Sequence, residues 1–479
     1  MTMNRRKFLV GTAAATSLAW LPRTRAASVT ETADVIVIGA GLSGLQAALQ
    51  LEQAGLRVLV LEGRDRVGGK ILTFSNVQGV PEAGGNTIGG DYQRLMALAP
   101  RIGITLEDQV PRMGKHADFT LVLDGAPMSK AQWRDSPRNP FKAPLRELMP
   151  WQYAPTVINR ANPLKTVDGW YLPSNAPLDI SVEDFLRAQG ADDETIKIAY
   201  DALPTYGLNA RDVSALLLAC VAKFTGVQRD ARPALYQAKG GNQRIPEAMA
   251  GQLKEGVRFG KTVRSIENDK IGVQVHTRGG ERYAAKAAVC ALPFAILRKL
   301  DLKPALSGNQ ARAVRTLPHQ LIHQTALHAS RPFWESDGLA PSMWTNSPIG
   351  RVAAIYHGQT DDEVSSLLVT SFGPGAAHLD RMDRETAAQY VVSTIESMRP
   401  AARGTLQVIA QQSWAQDPFS LGAWSYFHPG TVTKFLPAMN QPNGRIHFCG
   451  EQTALGARGM EGALESGARA AKEVLSALS

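Results

Sequence analysis

Residues 34–62 leave this chain little choice of fold. Asp34-Val-Ile-Val-Ile38 is a short β-branched apolar run, the composition of a strand buried on both faces in a parallel sheet. Gly39-Ala-Gly41-Leu-Ser43-Gly44 follows at once, then an alanine- and leucine-rich helical segment from Leu45 to about Gln53, closed by Gly55. A second strand, Arg57-Val-Leu-Val-Leu61, ends at Glu62. In such a unit Gly39 makes the tight turn and Gly41 lets the backbone approach a pyrophosphate, with Ser43 beside it. Gly44 lets helix and strand pack closely, and the helix N-terminus faces the phosphates. Glu62, 18 positions beyond Gly44, stands where a carboxylate accepts from a ribose hydroxyl. A glycine triplet alone would carry little weight. Strand, helix, strand and acid in register predict a dinucleotide site on an α/β fold.

The chain is 479 residues long, more than one hydrophobic core usually serves, so two domains are expected. Residues 1–27 need separate treatment. They carry Arg5-Arg6-Lys7, a mild apolar run to Leu21, then Arg23, Arg25 and the small pair Ala26-Ala27, the layout of an export signal. The paired arginines before Phe8-Leu9 resemble a bacterial twin-arginine signal, which implies a periplasmic or secreted protein. Five cations and no acids lie in that segment, so the formal net charge of +9 falls to +4 without it. No lysine/arginine run suggests nucleic acid, and no long uncharged apolar stretch in the body of the chain suggests a membrane span. Cys220, Cys290 and Cys449 sit in apolar contexts, an odd count that fits buried thiols better than a disulfide framework.

Further glycine-rich units recur along the chain. Glu62-Gly-Arg64-Asp-Arg66-Val-Gly68-Gly69-Lys70 follows the second strand, and Glu82-Ala-Gly84-Gly85-Asn86-Thr87 comes soon after. The latter, in isolation, is a glycine-rich turn. In the middle lie Gly240-Gly241-Asn-Gln-Arg-Ile-Pro246, Val263-Arg-Ser-Ile266 and Val289-Cys-Ala-Leu-Pro293. Near the end, Ile446 to Phe448 read as a strand leading to Gly450-Glu451. Gly459-Met460-Glu461-Gly462-Ala463 then opens a helix to Leu478 whose small residues form one narrow face.

Together these units resemble the flavin amine oxidase superfamily, the monoamine oxidases, polyamine oxidases and L-amino-acid oxidases. The likeness is strongest over 34–90 and 405–479. It implies a Rossmann-like FAD-binding domain, discontinuous over 34–110, 236–300 and 405–479, and an α+β substrate domain from 111–235 and 301–404. It also implies FAD held by Gly39, Gly41, Ser43, Gly44, Glu62, Arg64, Gly69 and Lys70, with the backbone at Val263 on adenine. Gly84, Gly85, Asn86 and Thr87 would pass under the isoalloxazine ring. Gly450 and Glu451 would lie near the ribityl–pyrophosphate part, with Gly459, Met460 and Ala463 under the pyrimidine ring. The family's usual arginine is here Lys70, which keeps a charge but loses bidentate geometry.

The resemblance implies oxidation of a primary or secondary amine to an imine by hydride transfer to flavin N5, followed by hydrolysis. Electrons would pass to O2 or to a cytochrome or quinone. No metal is implied, and a homodimer is compatible with the sequence. Trp424 falls on the family's aromatic cage, with packing in the core as the plainer alternative. The opposite wall, a tyrosine in monoamine oxidases, is here Gly459. The thiol that attaches flavin covalently is absent from Gly422-Ala423-Trp424, so FAD should be noncovalent. Counting back from Pro332, the position of the family's lysine near N5 is Gln324, with His323 beside it as either a structural or a catalytic histidine. The carboxylate-gripping arginine of L-amino-acid oxidases is missing at 86–88, though Arg351 could replace it. The alternatives are an L-amino-acid oxidase and a flavin-dependent desaturase or porphyrinogen oxidase.

Overall fold

The computed structural model describes residues 29–113, 118–230, 235–356 and 363–479; the expected export signal at 1–27 lies outside them. At its centre is an all-parallel five-stranded sheet. Its strands run in the order Val257–Arg258, Val58–Leu61, Val35–Ile38, Ala287–Cys290 and Ile446–Phe448. The inner strands are buried on both faces, as their unbroken Val/Ile/Leu composition requires. The first helix, Leu42–Gln53, begins three residues earlier than the apolar pattern suggests, because Leu42, Ser43 and Gly44 already lie in its first turn.

The C-terminal helix, Gly459–Leu478, lies against this first helix. A Cβ at Gly467 would stand 2.3 Å from the Ser43 carbonyl oxygen, so the small-residue face is the surface on which these two helices meet. A Cβ at Gly44 would stand 2.0 Å from the Gly39 oxygen and 3.1 Å from the Ala291 side chain. Gly44 is thus a packing glycine at the helix–strand junction.

Val263–Asn268 belongs to a different sheet, with Val273–Thr277, Arg282–Ala285, Asp301–Lys303 and Glu31–Thr32. The largest sheet has seven strands in the order Leu406–Ser413, Ile322–Ala329, Ser366–Phe372, Arg351–Ile355, Ser342–Thr345, Phe119–Leu123 and Ala126–Met128. Leu406–Ser413 therefore pairs with Ile322–Ala329 and not with the nucleotide-binding strands. Helices Pro150–Arg160 and Ala215–Asp230 pack together near this sheet. Among the described residues no helix is long and apolar enough to cross a membrane. The three cysteines are buried and unbridged, and burial pushes each thiol up to about 12.

Candidate active site

A cavity of about 490 Å³ runs along the C-terminal ends of the parallel strands, where open α/β sheets bind ligands. Gly39, Gly41 and Ser43 line it at the N-terminus of the first helix, and Gly459, Met460 and Ala463 at that of the last. Two helix starts facing one groove favour negative charge. Glu62 lines it at the end of the second strand; its carboxylate accepts from the amides of Ala40 at 2.8 Å and Arg64 at 2.9 Å, which leaves lone pairs for a ribose hydroxyl. Gly69, Lys70, Gly84, Gly85, Asn86, Thr87, Val263, Gly450 and Glu451 complete the groove.

The loops that form the groove are braced from behind. Arg66 donates to the carbonyls of Val67, Gly69 and Ile71 at 3.0–3.1 Å and so shapes the Gly68-Gly69 turn. Glu82, buried below Gly84, accepts from Thr73, Gln237 and the Asn242 amide at 2.6–2.9 Å. Burial raises its carboxyl to about 7 against the pull of those donors. Trp414 donates its indole N–H to the Ala83 carbonyl at 2.7 Å. A Cβ at Gly84 would stand 2.3 Å from the Lys70 oxygen and 2.6 Å from this indole, so only glycine fits.

Two cations of the groove are already engaged. Arg64 binds Asp417 through both terminal nitrogens at 2.8–3.1 Å, donates to Ser420 and lies over the Phe419 ring at 5.1 Å. Its first duty is to lock the 417–420 loop onto the nucleotide unit. Lys70 donates to the Ala423 carbonyl at 2.5 Å. Burial holds its ammonium below the ordinary value, while Glu451 works the other way. Glu451 in turn pairs with Arg458 at 2.8 Å.

The large sheet supplies the other side. Cross-strand pairing puts Gln324 opposite Thr370, Thr370 opposite Arg351, and Arg351 opposite Trp344. Directly paired residues share a face, so these four form a row across four strands. Gln324 and Thr370 line the groove. Trp344 lines a second cavity of about 390 Å³, and Arg351 lines both. Thr205 and Phe372 are likewise shared. The second cavity is roofed by one face of each packed helix, Trp151, Ala154, Ile158 on one and Leu218, Val221, Ala222, Thr225 on the other, at the spacing of a single helical stripe.

His323, one residue from Gln324, falls on the opposite face of its strand. Its Nδ1 is bonded to Asp380 at 2.8 Å, and it does not line the groove. Alternation along a strand excludes it from the role its neighbour can take. Gly44 also lies off the groove, in the packing position described above. Every other residue expected to hold FAD or to act on the substrate lines the groove.

Trp424 lines it with its ring N–H held by the Thr205 carbonyl at 3.1 Å. It lies 6.0 Å from the Tyr206 ring in a T-shaped contact and 6.4 Å from Phe372. At Gly459, where a second aromatic wall was sought, the Tyr92 hydroxyl lies 3.2 Å from where a Cβ would stand. Tyr206, Phe372 and Tyr92 sit in no motif, so only tertiary structure identifies them.

The sequence profile of the family described as flavin containing amine oxidoreductase matches residues 42–475. Flavin-containing amine oxidase B of Sus scrofa is 26% identical over 480 residues, spanning 93% of this chain and 86% of that protein. The Homo sapiens protein of the same name is 26% identical over 477 residues, with the same coverage. Among solved structures, cyclohexylamine oxidase from Brevibacterium oxydans IH-35A superposes with a TM-score of 0.76 at 22% identity. Wild-type putrescine oxidase bound to putrescine gives 0.73 at 21%. Each covers 93% of this chain and 99% of the other. The glycine-lined groove, with two helix N-termini and a ribose-competent acid, suits the dinucleotide that these relatives share. This chain belongs to the flavin-containing amine oxidoreductase family and is an FAD-dependent amine oxidoreductase.

Proposed function

We propose that the protein oxidises a primary or secondary amine to an imine, which water then hydrolyses, and that it works in the periplasm or outside the cell with noncovalent FAD. The observation that carries this reading is the junction of the two cavities. The nucleotide groove adjoins an aromatic chamber, with Thr205, Arg351 and Phe372 in the walls of both, so a substrate held in the chamber lies next to the groove.

When bound, FAD supplies a two-electron acceptor for the hydride on the carbon bearing nitrogen. The chain's own residues orient and desolvate. Gly41, Ser43 and the two helix starts would hold the phosphates, Glu62 a ribose, and Gly84-Gly85 the ring. Trp424, Phe372 and Tyr206 present aromatic surface that favours an amine and excludes water. Gln324 is buried, and its side-chain oxygen has no hydrogen-bond partner among the described residues. A buried unpaired oxygen of this kind would be completed by an amine N–H or a water once the amide turns toward the groove.

Gln324 is neutral and the cation of this row, Arg351, stands two strands away, so no ammonium at the Gln324 position stabilises superoxide as it forms. Reoxidation by O2 is therefore expected to be slow, with a cytochrome or quinone as the working acceptor. The test adds a panel of primary, secondary and amino-acid amines anaerobically to the holoenzyme and follows bleaching of the flavin. Air-saturated buffer is then mixed in and the return of colour timed. Failure of every amine to bleach the flavin would remove the reading, and recolouring within milliseconds would remove the acceptor part alone.

A further inference from the structure

Arg351 lies at the mouth between groove and chamber, and nothing described so far uses its charge. It opens the strand Arg351–Ile355 and points its side chain along the row shared with Thr370 and Trp344. Among the described residues its guanidinium has no hydrogen bond and no ion pair; its one recorded contact is with the face of Phe372, at 5.8 Å. Arg351 is exposed, and it lines both cavities. Surrounding protein withdraws water from it and holds its pKa below the ordinary value. A guanidinium with no acid beside it offers its whole fork of donors to an anion entering from either cavity.

The lining of the chamber sharpens the point. Apart from Arg351 it is Phe119, Trp151, Tyr200, Tyr206, Trp344, Phe372 and aliphatic or small polar residues, and no described lining residue is acidic. The second ammonium of a diamine would meet a cation and no carboxylate there. An aromatic or aliphatic body ending in an anion meets apolar walls and a planar five-donor fork.

We propose that Arg351 grips a carboxylate on the substrate, so that the amine oxidised here belongs to an amino acid or another carboxylate-bearing amine with an apolar body. This rests on the amine-oxidation reading above. Arg351 stands two strands from Gln324, about 10 Å between backbones. The anion is therefore read on the chamber side of the site, away from the 86–88 stretch that carries no cation.

Two measurements separate this from that reading. The first is binding of benzoate to the oxidised holoenzyme, with benzamide as the neutral match, followed by the change in flavin absorbance. Benzoate is expected to bind roughly tenfold tighter than benzamide, the order that a bidentate charge pair in a partly open cavity gives. Arg351→Met should erase that ratio and Arg351→Lys should keep part of it. This outcome does not depend on turnover. The second compares anaerobic flavin reduction by phenylalanine and by phenethylamine. The wild type should prefer the amino acid, and Arg351→Met should collapse the preference through the apparent Kd. Equal binding of benzoate and benzamide, or a benzoate preference that survives Arg351→Met, overturns the proposal even if amines are oxidised. Benzoate binding through Arg351 in a protein that no amine reduces keeps the anion site and sinks the amine reading instead.

Discussion

Glu82 shows how one side chain can tie stability to pH. Its carboxyl is raised to about 7 by burial in the folded protein, against an ordinary value of 4.5. Between those values the native state holds a proton that the unfolded chain has released, so stability falls as pH rises through the window and levels off above it. Glu82→Gln should flatten that slope in the apoprotein, by at most roughly 3 kcal/mol between pH 4.5 and 7.5. Urea midpoints at several pH values read it, and an unchanged slope would assign the effect elsewhere. Trp424→Ala should slow anaerobic flavin reduction by tenfold or more while FAD retention changes little, because the indole contacts Tyr206, Phe372 and Thr205 on the substrate side. Equal loss of both would make Trp424 a packing residue. Legibility at this scale followed the kind of contact. Glu62 and Gly41 were readable because the strand–turn–helix geometry is local. The ion pair of Arg64 with Asp417 was not, because it joins residues 353 apart. Gln324 and His323 could not be told apart until the register of their strand placed one of them on each face.

At the level of elements, the strands and helices of the nucleotide unit lay within a few residues of their expected positions. Strand Ile446–Phe448 and helix Gly459–Leu478 coincided with them. Such segments are set by apolar periodicity and glycine punctuation, which act over short range. The partners of the strands were harder to read. Leu406–Ser413 completes the large sheet and Val263–Asn268 pairs within a separate five-stranded sheet, and neither pairing leaves a trace in composition. The small-residue stripe of the last helix was legible as a close-packing surface, but its partner was not. That partner makes a sharp prediction. Gly467→Leu must push the helix off the Ser43 carbonyl, and overpacking of this kind costs about 1–3 kcal/mol or more. The thermal midpoint should drop and FAD should be lost more readily, since Met460 and Ala463 on the same helix line the groove. A stable variant with full flavin content would show that the two helices do not depend on this contact.

For the molecule as a whole, colour is the simplest readout. None of the three cysteines lines the groove, and the Ala423 carbonyl is occupied by Lys70. Acid precipitation should therefore leave yellow FAD in the supernatant; a yellow pellet would mean a covalent link at another residue. FAD should also raise the thermal midpoint in proportion to the logarithm of its concentration, as expected for a ligand that binds only the folded state. The contact between Gly467 and Ser43 reaches further than stability. A chain is synthesised from one end, and the groove draws on residues from Ile38 to Ala463. The nucleotide unit is therefore unfinished until helix Gly459–Leu478 has packed on Leu42–Gln53. A fragment that stops before Gly459 is thus expected to hold no flavin and to accept no electrons.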